Sequence, residues 1–185
     1  MSVSVPDQFL DAVQEPNVAV HLLEEDGPYP NNEVLPLLIY TQALRSTVEA
    51  PARTFEQVFQ AHNWRGSWRN GIFPYHHYHS TAHEVLGIAK GHAAVQLGGD
   101  GGLTLDVAAG DVLVLPAGVA HKNRGASGDF LVVGAYPDGQ NWDLKRGKPG
   151  ARPEADRNIE QVPLPALDPV YGANGPVQEH WGAVD

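Results

Sequence analysis

The side chains with the most capacity for chemistry fall in one short run: His76, His77, His79, His83 and Glu84, within nine positions of a 185-residue chain. Neutral imidazoles and carboxylates are the donors that bind zinc, iron, manganese, nickel and copper. Spacing narrows the run. His77 and His79 are two apart, so on an extended strand both leave from the same face and can offer two nitrogens to one ion. His62, His92 and His180 stand alone in sequence. A strand continuing through Glu84 turns Glu84 and Leu86 to one face and His83 and Val85 to the other. His83 and Glu84 can point the same way only across a bulge, so Glu84 is favoured as a ligand with His83 as its rival. His76 alternates away from His77 and reads as a solvent-facing or supporting histidine. His92 follows Gly91 at a turn and reads as surface.

A second segment, GDVLVLPAGVAHKN at 110–123, carries another candidate donor. Gly110 and Asp111 make a turn, VLVLP is a buried strand, Pro116-Ala117-Gly118 turns again, and His121 follows on the next strand.

These donors need a scaffold, and the rest of the chain supplies its pattern. Residues 6–14 read as a short helix ended by Pro16, with Phe9, Leu10 and Val13 on one side. Residues 18–23 read as a strand, and 35–40 as a strand or the start of a helix. The clearest helix covers about 51–62, where Pro51 suits a first helical position and Phe55, Val58, Phe59 and His62 follow helical spacing. From Trp64 the pattern changes to short strands at 68–78, 84–89, 92–97, 103–107, 112–115 and 130–133, separated by glycines. The GGDGG at 98–102 is followed by LTLDV, not a helix, so it reads as a hairpin turn and not a phosphate loop. Short strands at near-regular spacing indicate a small antiparallel sandwich or barrel. After Tyr136 the chain is proline-rich and irregular. Pro163, Pro165 and Pro169 exclude a long regular element there. Its apolar residues, among them Val162, Val170 and Tyr171, predict that it lies along the barrel or across a subunit contact.

Composition removes several function classes. A formal net charge of -10 argues against a nucleic-acid groove or an anionic membrane surface as partner. The chain has no cysteine, which excludes thiol catalysis, disulfides and iron–sulfur clusters. Neither a secretory leader nor a membrane-spanning run is visible, so a soluble cytoplasmic protein is expected. No nucleophile–base arrangement for acyl chemistry is present.

In both histidine segments the chain resembles the cupins. The first matches G-x5-H-x-H-x4-E-x6-G through Gly71, His77, His79, Glu84 and Gly91. The second matches G-x5-P-x-G-x2-H through Gly110, Pro116, Gly118 and His121. The family's closing Asn is out of register, Asn123 sitting early, at a position that is structural in cupins. The resemblance implies an all-β, cupin-type double-stranded β-helix (jelly-roll) barrel, with a few short helices in an N-terminal extension. Residues 1–63 would form that extension, packing on or extending the barrel, 64–137 the barrel core, and 138–185 a proline-rich C-terminal extension of the same domain. It also implies one divalent transition metal (Fe, Mn, Ni or Zn) held by His77, His79, Glu84 and His121, and a homodimer that exchanges strands between barrels.

Three imidazoles and a carboxylate leave a +1 centre around a divalent ion. A six-coordinate metal would keep two open positions for water, substrate or dioxygen, whereas tetrahedral zinc would be closed. The leading expectation is therefore an iron-dependent, dioxygenase-type oxidation of a small organic molecule. The alternatives are metal-assisted isomerase or lyase chemistry, and a non-catalytic binding or sensing barrel. Tyr75, Tyr78, Lys122, Asn123 and Trp142 are candidate pocket residues. Tyr136 and Trp142 read more simply as packing across the barrel end, and Trp64 and Trp68 as core or interface.

Overall fold

The computed structural model describes residues 6–182. Nine strands run β1 (Val18–Leu23), β2 (Asn32–Tyr40), β3 (Trp64–Asn70), β4 (Glu84–Lys90), β5 (His92–Leu97), β6 (Leu103–Ala108), β7 (Val112–Leu115), β8 (His121–Ala126) and β9 (Leu131–Pro137). Three α-helices accompany them: α1 (Pro51–Ala61), α2 (Arg152–Gln161) and α3 (Pro176–Trp181). All strand pairs are antiparallel. They form a six-stranded sheet in the order β1-β2-β7-β4-β9-β3, facing a three-stranded sheet in the order β6-β5-β8. This is an all-β, antiparallel two-sheet jelly roll.

Both faces of the sheet's central strands β7, β4 and β9 are buried, as is the end of β2, and strand parity divides their side chains between two cores. Leu37 and Ile39 of β2, Leu86 and Ile88 of β4, Leu113 and Leu115 of β7, and Val132 of β9 point into the barrel. Their neighbours Leu38, Tyr40, Val85, Ala89, Val112, Val114, Val133 and Ala135 point outward, against Phe55 and Phe59 of α1 and against Val177 and Trp181 of α3. The second core is why the chain carries so much sequence beyond one small barrel.

β1 and β2 are members of the main sheet, so the barrel uses chain outside 64–137. Residues 6–14 hold only a three-residue 3-10 turn, Asp7–Phe9, because so short a segment before Pro16 has little helix to nucleate. The run 68–78 is not one strand. β3 ends at Asn70, and the chain then leaves the sheet until His77 bridges His121. The loop 98–102 is a hairpin, with Leu97 pairing Leu103.

The C-terminal segment is more regular than its prolines suggest. α2 forms ahead of Pro163, started by Pro153 in its first turn and braced by an Arg152–Asp156 pair at 2.9 Å, one turn apart. Past it, Asp168 is fully buried and organises the return of the chain onto the barrel. Its carboxylate accepts from the Tyr40 hydroxyl at 2.6 Å and from the backbone N–H groups of Val170, Tyr171 and Val177 at 2.8, 2.8 and 3.1 Å. Among the described residues no helix is long and apolar enough to cross a membrane.

Candidate metal centre

Glu84 opens β4 and shares the inward parity of Leu86 and Ile88, so its carboxylate enters the barrel. His83 has the opposite parity. It is buried on the outer face, where its Nδ1 accepts from the Ala117 N–H at 2.9 Å and its ring packs 4.8 Å from Trp181. Burial lowers its pKa to about 3, keeping it neutral and structural. His121 begins β8 and exchanges backbone hydrogen bonds with His77, N to O at 2.9 and 3.2 Å. That bridge brings the two histidine segments together, with ring centroids 4.1 Å apart. His79, two residues on, completes a buried group in which one donor atom each from His77, His79 and His121 lies within 4.8 Å of the others.

Backbone carbonyls set the tautomers. A carbonyl can only accept, so each Nδ1 that contacts one carries the proton. His77 Nδ1 donates to Tyr75 O at 3.3 Å, His121 Nδ1 to Val119 O at 3.1 Å, and His79 Nδ1 to Asp143 O. All three rings are thereby oriented to present Nε2, the arrangement that outer partners impose on metal-binding histidines. The 138–147 loop delivers the Asp143 carbonyl. Its side chain ties it down, accepting from Ser80 N and Ser80 Oγ, both at 2.6 Å.

Glu84 lies beside two of these imidazoles. Its Oε2 lies 3.3 Å from His79 Nε2 and 3.5 Å from His121 Nε2. Donors bound at 2.0–2.2 Å to one ion stand roughly 3.0–3.5 Å apart. The three imidazoles suit a divalent metal in donor chemistry and lie within 4.8 Å of one another, with the Glu84 carboxylate beside two of them. Charge agrees. Burial alone would raise the Glu84 pKa, but His79, His121 and the Tyr136 hydroxyl bring it down to about 2. Burial would lower His79, yet Glu84 overcomes this and holds it above its ordinary value, so a proton shared with Glu84 stabilises the pair without metal. Burial, with His77 next in weight, takes His121 down to about 3.

A cavity of about 220 Å³ opens onto one side of these donors. Trp68, Ile72, Phe73, Leu86, Trp142 and Leu144 supply most of its apolar wall. Tyr136, inward on β9 by the parity of Val132, places its hydroxyl toward Glu84 and accepts from Trp68 Nε1 at 2.9 Å. Burial and the Glu84 charge push the Tyr136 pKa up strongly, so it stays a protonated donor. Gly134, between Val132 and Tyr136, makes room for Trp68: a Cβ there would lie 2.1 Å from Trp68 Cε2.

The other sequence candidates lie elsewhere. Tyr78 is buried beside Tyr29, and Lys122 pairs with Asp100 at 3.0 Å. Asn123 accepts from the Gly125 N–H at 2.7 Å, and Tyr75 lies under Arg146, 3.8 Å from ring centroid to guanidinium carbon. His76 is buried, not solvent-facing, with Nε2 3.4 Å from Asp100 Oδ1. His92 is exposed. Trp142, a pocket candidate in the sequence although packing is its simpler reading, lines the cavity, and so does Tyr136, read there as packing. Phe73 and the Asp143 carbonyl went unread: a backbone acceptor leaves no side-chain signal, and Phe73 sits outside any periodic element.

No family model matches the chain. Among solved structures, it is similar to acireductone dioxygenase from Bacillus anthracis with a cadmium ion in its active centre (19% identity over 45% of this chain and 56% of that one, TM-score 0.33). It is also similar to a DUF861-family protein from Thermotoga maritima (17% identity, 46% of this chain and 92% of that one, TM-score 0.31). A third is oxalate decarboxylase from Lactobacillus farciminis (18% identity, 71% of this chain and 40% of that one, TM-score 0.36). The chain thus spans little more than half of the acireductone dioxygenase and less of the decarboxylase. The likeness in sequence is closer to YjlB of Bacillus subtilis, an uncharacterized protein, with 42% identity over 167 residues, 90% of this chain and 98% of that one. At that identity, over nearly the full length of both, the chain belongs to the YjlB family.

Proposed function

We propose that His77, His79, Glu84 and His121 hold one divalent transition metal, and that the chain is a metalloenzyme acting on a small organic molecule. Iron-dependent, dioxygenase-type oxidation is the leading chemistry. The observation that carries this reading is the single cavity meeting all four donors from one side. A centre meant only for stability would be closed by packing. A bound iron(II) would supply dioxygen activation and polarisation of a substrate oxygen.

The chain's own residues prepare that chemistry. The three Nδ1–H···O=C bonds hold the imidazoles in the metal-binding tautomer before any ion arrives. The aromatic wall offers an apolar surface beside the donors, which a bound substrate would close to water. Tyr136 keeps a proton on its hydroxyl, directed at Glu84, and a substrate oxygen that displaces this contact would receive it. That fixed donor also favours the second reading, isomerase or lyase chemistry, in which a proton moves and dioxygen takes no part.

Oxygen uptake by the iron-loaded protein separates the two. Uptake with at least one member of a broad metabolite panel supports oxidation. Turnover that survives strict exclusion of oxygen, and replacement of iron by manganese or nickel, moves the assignment to Lewis-acid chemistry. Tight binding of a panel member without turnover identifies a non-catalytic binding protein.

A further inference from the structure

The cavity wall constrains what can occupy it. Phe73 is 40% exposed and Trp142 51% exposed, although large aromatic rings usually gain from burial. Both line the cavity, each beside a different candidate ligand. Phe73 sits edge-on to His77 with centroids 5.1 Å apart, and Trp142 edge-on to His79 at 5.4 Å. Each is also held from behind. Phe73 stacks on Tyr75 at 5.0 Å and 10°, and Trp142 on Tyr136 at 5.9 Å and 21°. Two braced aromatic faces thus flank the donors and remain open to solvent.

Charge is equally selective. Among the described residues the only cation on the cavity wall is Arg69, and its Nε and Nη2 are already committed to the two Glu56 oxygens at 2.6 and 2.7 Å. Three imidazoles, one carboxylate and a divalent ion sum to +1. Nothing further in the wall would neutralise a phosphate or a second carboxylate.

We infer that the centre takes a small planar, aromatic or conjugated molecule with one oxygen-bearing end, a single oxygen or a vicinal pair, its ring held by Phe73 and Trp142 and its oxygen end directed to the ligand cluster and Tyr136. This rests on the proposed metal site for the anchor, and on the aromatic wall for the ring. The same shortage of cations disfavours polyanionic sugars, phosphate esters and dicarboxylates.

The test uses the full chain loaded with zinc, which undergoes no redox chemistry, and reads binding by tryptophan quenching and by the visible spectrum of the probe. 4-Nitrocatechol should bind, and 3-phosphoglycerate should not. Glycolate, with a chelating oxygen pair and no ring, should bind about tenfold more weakly, a difference of about 1.4 kcal/mol. Phe73→Ala and Trp142→Ala should each weaken 4-nitrocatechol by roughly tenfold while metal content and melting temperature stay unchanged, since both side chains are substantially exposed. Equal binding of glycolate and 4-nitrocatechol, or alanine variants with unaltered 4-nitrocatechol affinity, would overturn the inference. Failure to take up zinc is a different result: it removes the metal reading. The ring preference is then read on the metal-free chain with 4-nitrophenol, whose binding must still depend on Trp142 and Phe73.

Discussion

His77→Ala combined with His79→Ala is expected to take metal binding from one ion per chain to none detectable, weakening affinity by at least about a thousandfold. Two of the four proposed ligands are removed, and sites of this kind contribute roughly 10 kcal/mol or more of binding free energy, so losing half of them costs well over 4 kcal/mol. Both histidines are buried, and without them Glu84 remains deep in the barrel with His121 as its one imidazole neighbour. The carboxylate pKa should then rise, because desolvation is its largest perturbation and His79 its strongest counterweight. The variant must therefore be shown to fold, by near-UV circular dichroism, before its metal content is read. His79→Gln offers a milder change. It keeps a side chain in the space of the imidazole, and should lower metal affinity while preserving the fold. Unchanged stoichiometry in the double variant would show that the ion binds elsewhere.

Asp168→Ala should produce the largest loss of stability of any single substitution outside the centre, roughly 3–5 kcal/mol in urea unfolding. The substitution orphans the Tyr40 hydroxyl and three backbone N–H groups, all in a fully buried setting. Asp168→Asn keeps one acceptor oxygen, but turns an amide N–H₂ toward donors, so it should fall between wild type and alanine. Because Asp168 anchors the segment that carries α3 against Leu38 and Val85, loss of packing at Trp181 should accompany unfolding, visible as an early fluorescence change. A loss below about 1 kcal/mol would mean that the segment is held by its apolar contacts alone.

How far the sequence reaches depends on whether a feature lives in side-chain periodicity. The strands at 18–23, 92–97 and 112–115 were legible to the residue because apolar alternation or continuous apolar character is bounded there by turns. The choice between Glu84 and His83 was argued from strand parity, and the structure places the two on opposite faces. Parity could have found Tyr136 as well, since it follows Val132 by four residues along one strand; its aromatic bulk made packing the simpler reading. α2 was missed because the prolines that follow it dominated the reading of the whole tail. The second core was illegible for a different reason. A strand buried on both faces shows no alternation, so nothing local marks which of its faces meets helices. The carbonyls that orient the three imidazoles depend on tertiary position, and no residue type encodes them.

The central claim is that the chain holds one ion through three imidazoles and a carboxylate. Elemental analysis of protein prepared without an affinity metal, then equilibrated with iron, manganese, nickel or zinc and dialysed over a pH series, tests it most directly. Protons compete with metal for neutral imidazoles, and His79, whose pKa is raised, yields first as pH falls; Glu84, at about 2, remains a carboxylate throughout. Content should be close to one ion per chain at neutral pH and fall away as pH drops through about 6 to 5. Absence of all four metals at neutral pH, or full retention at pH 4, would contradict the account.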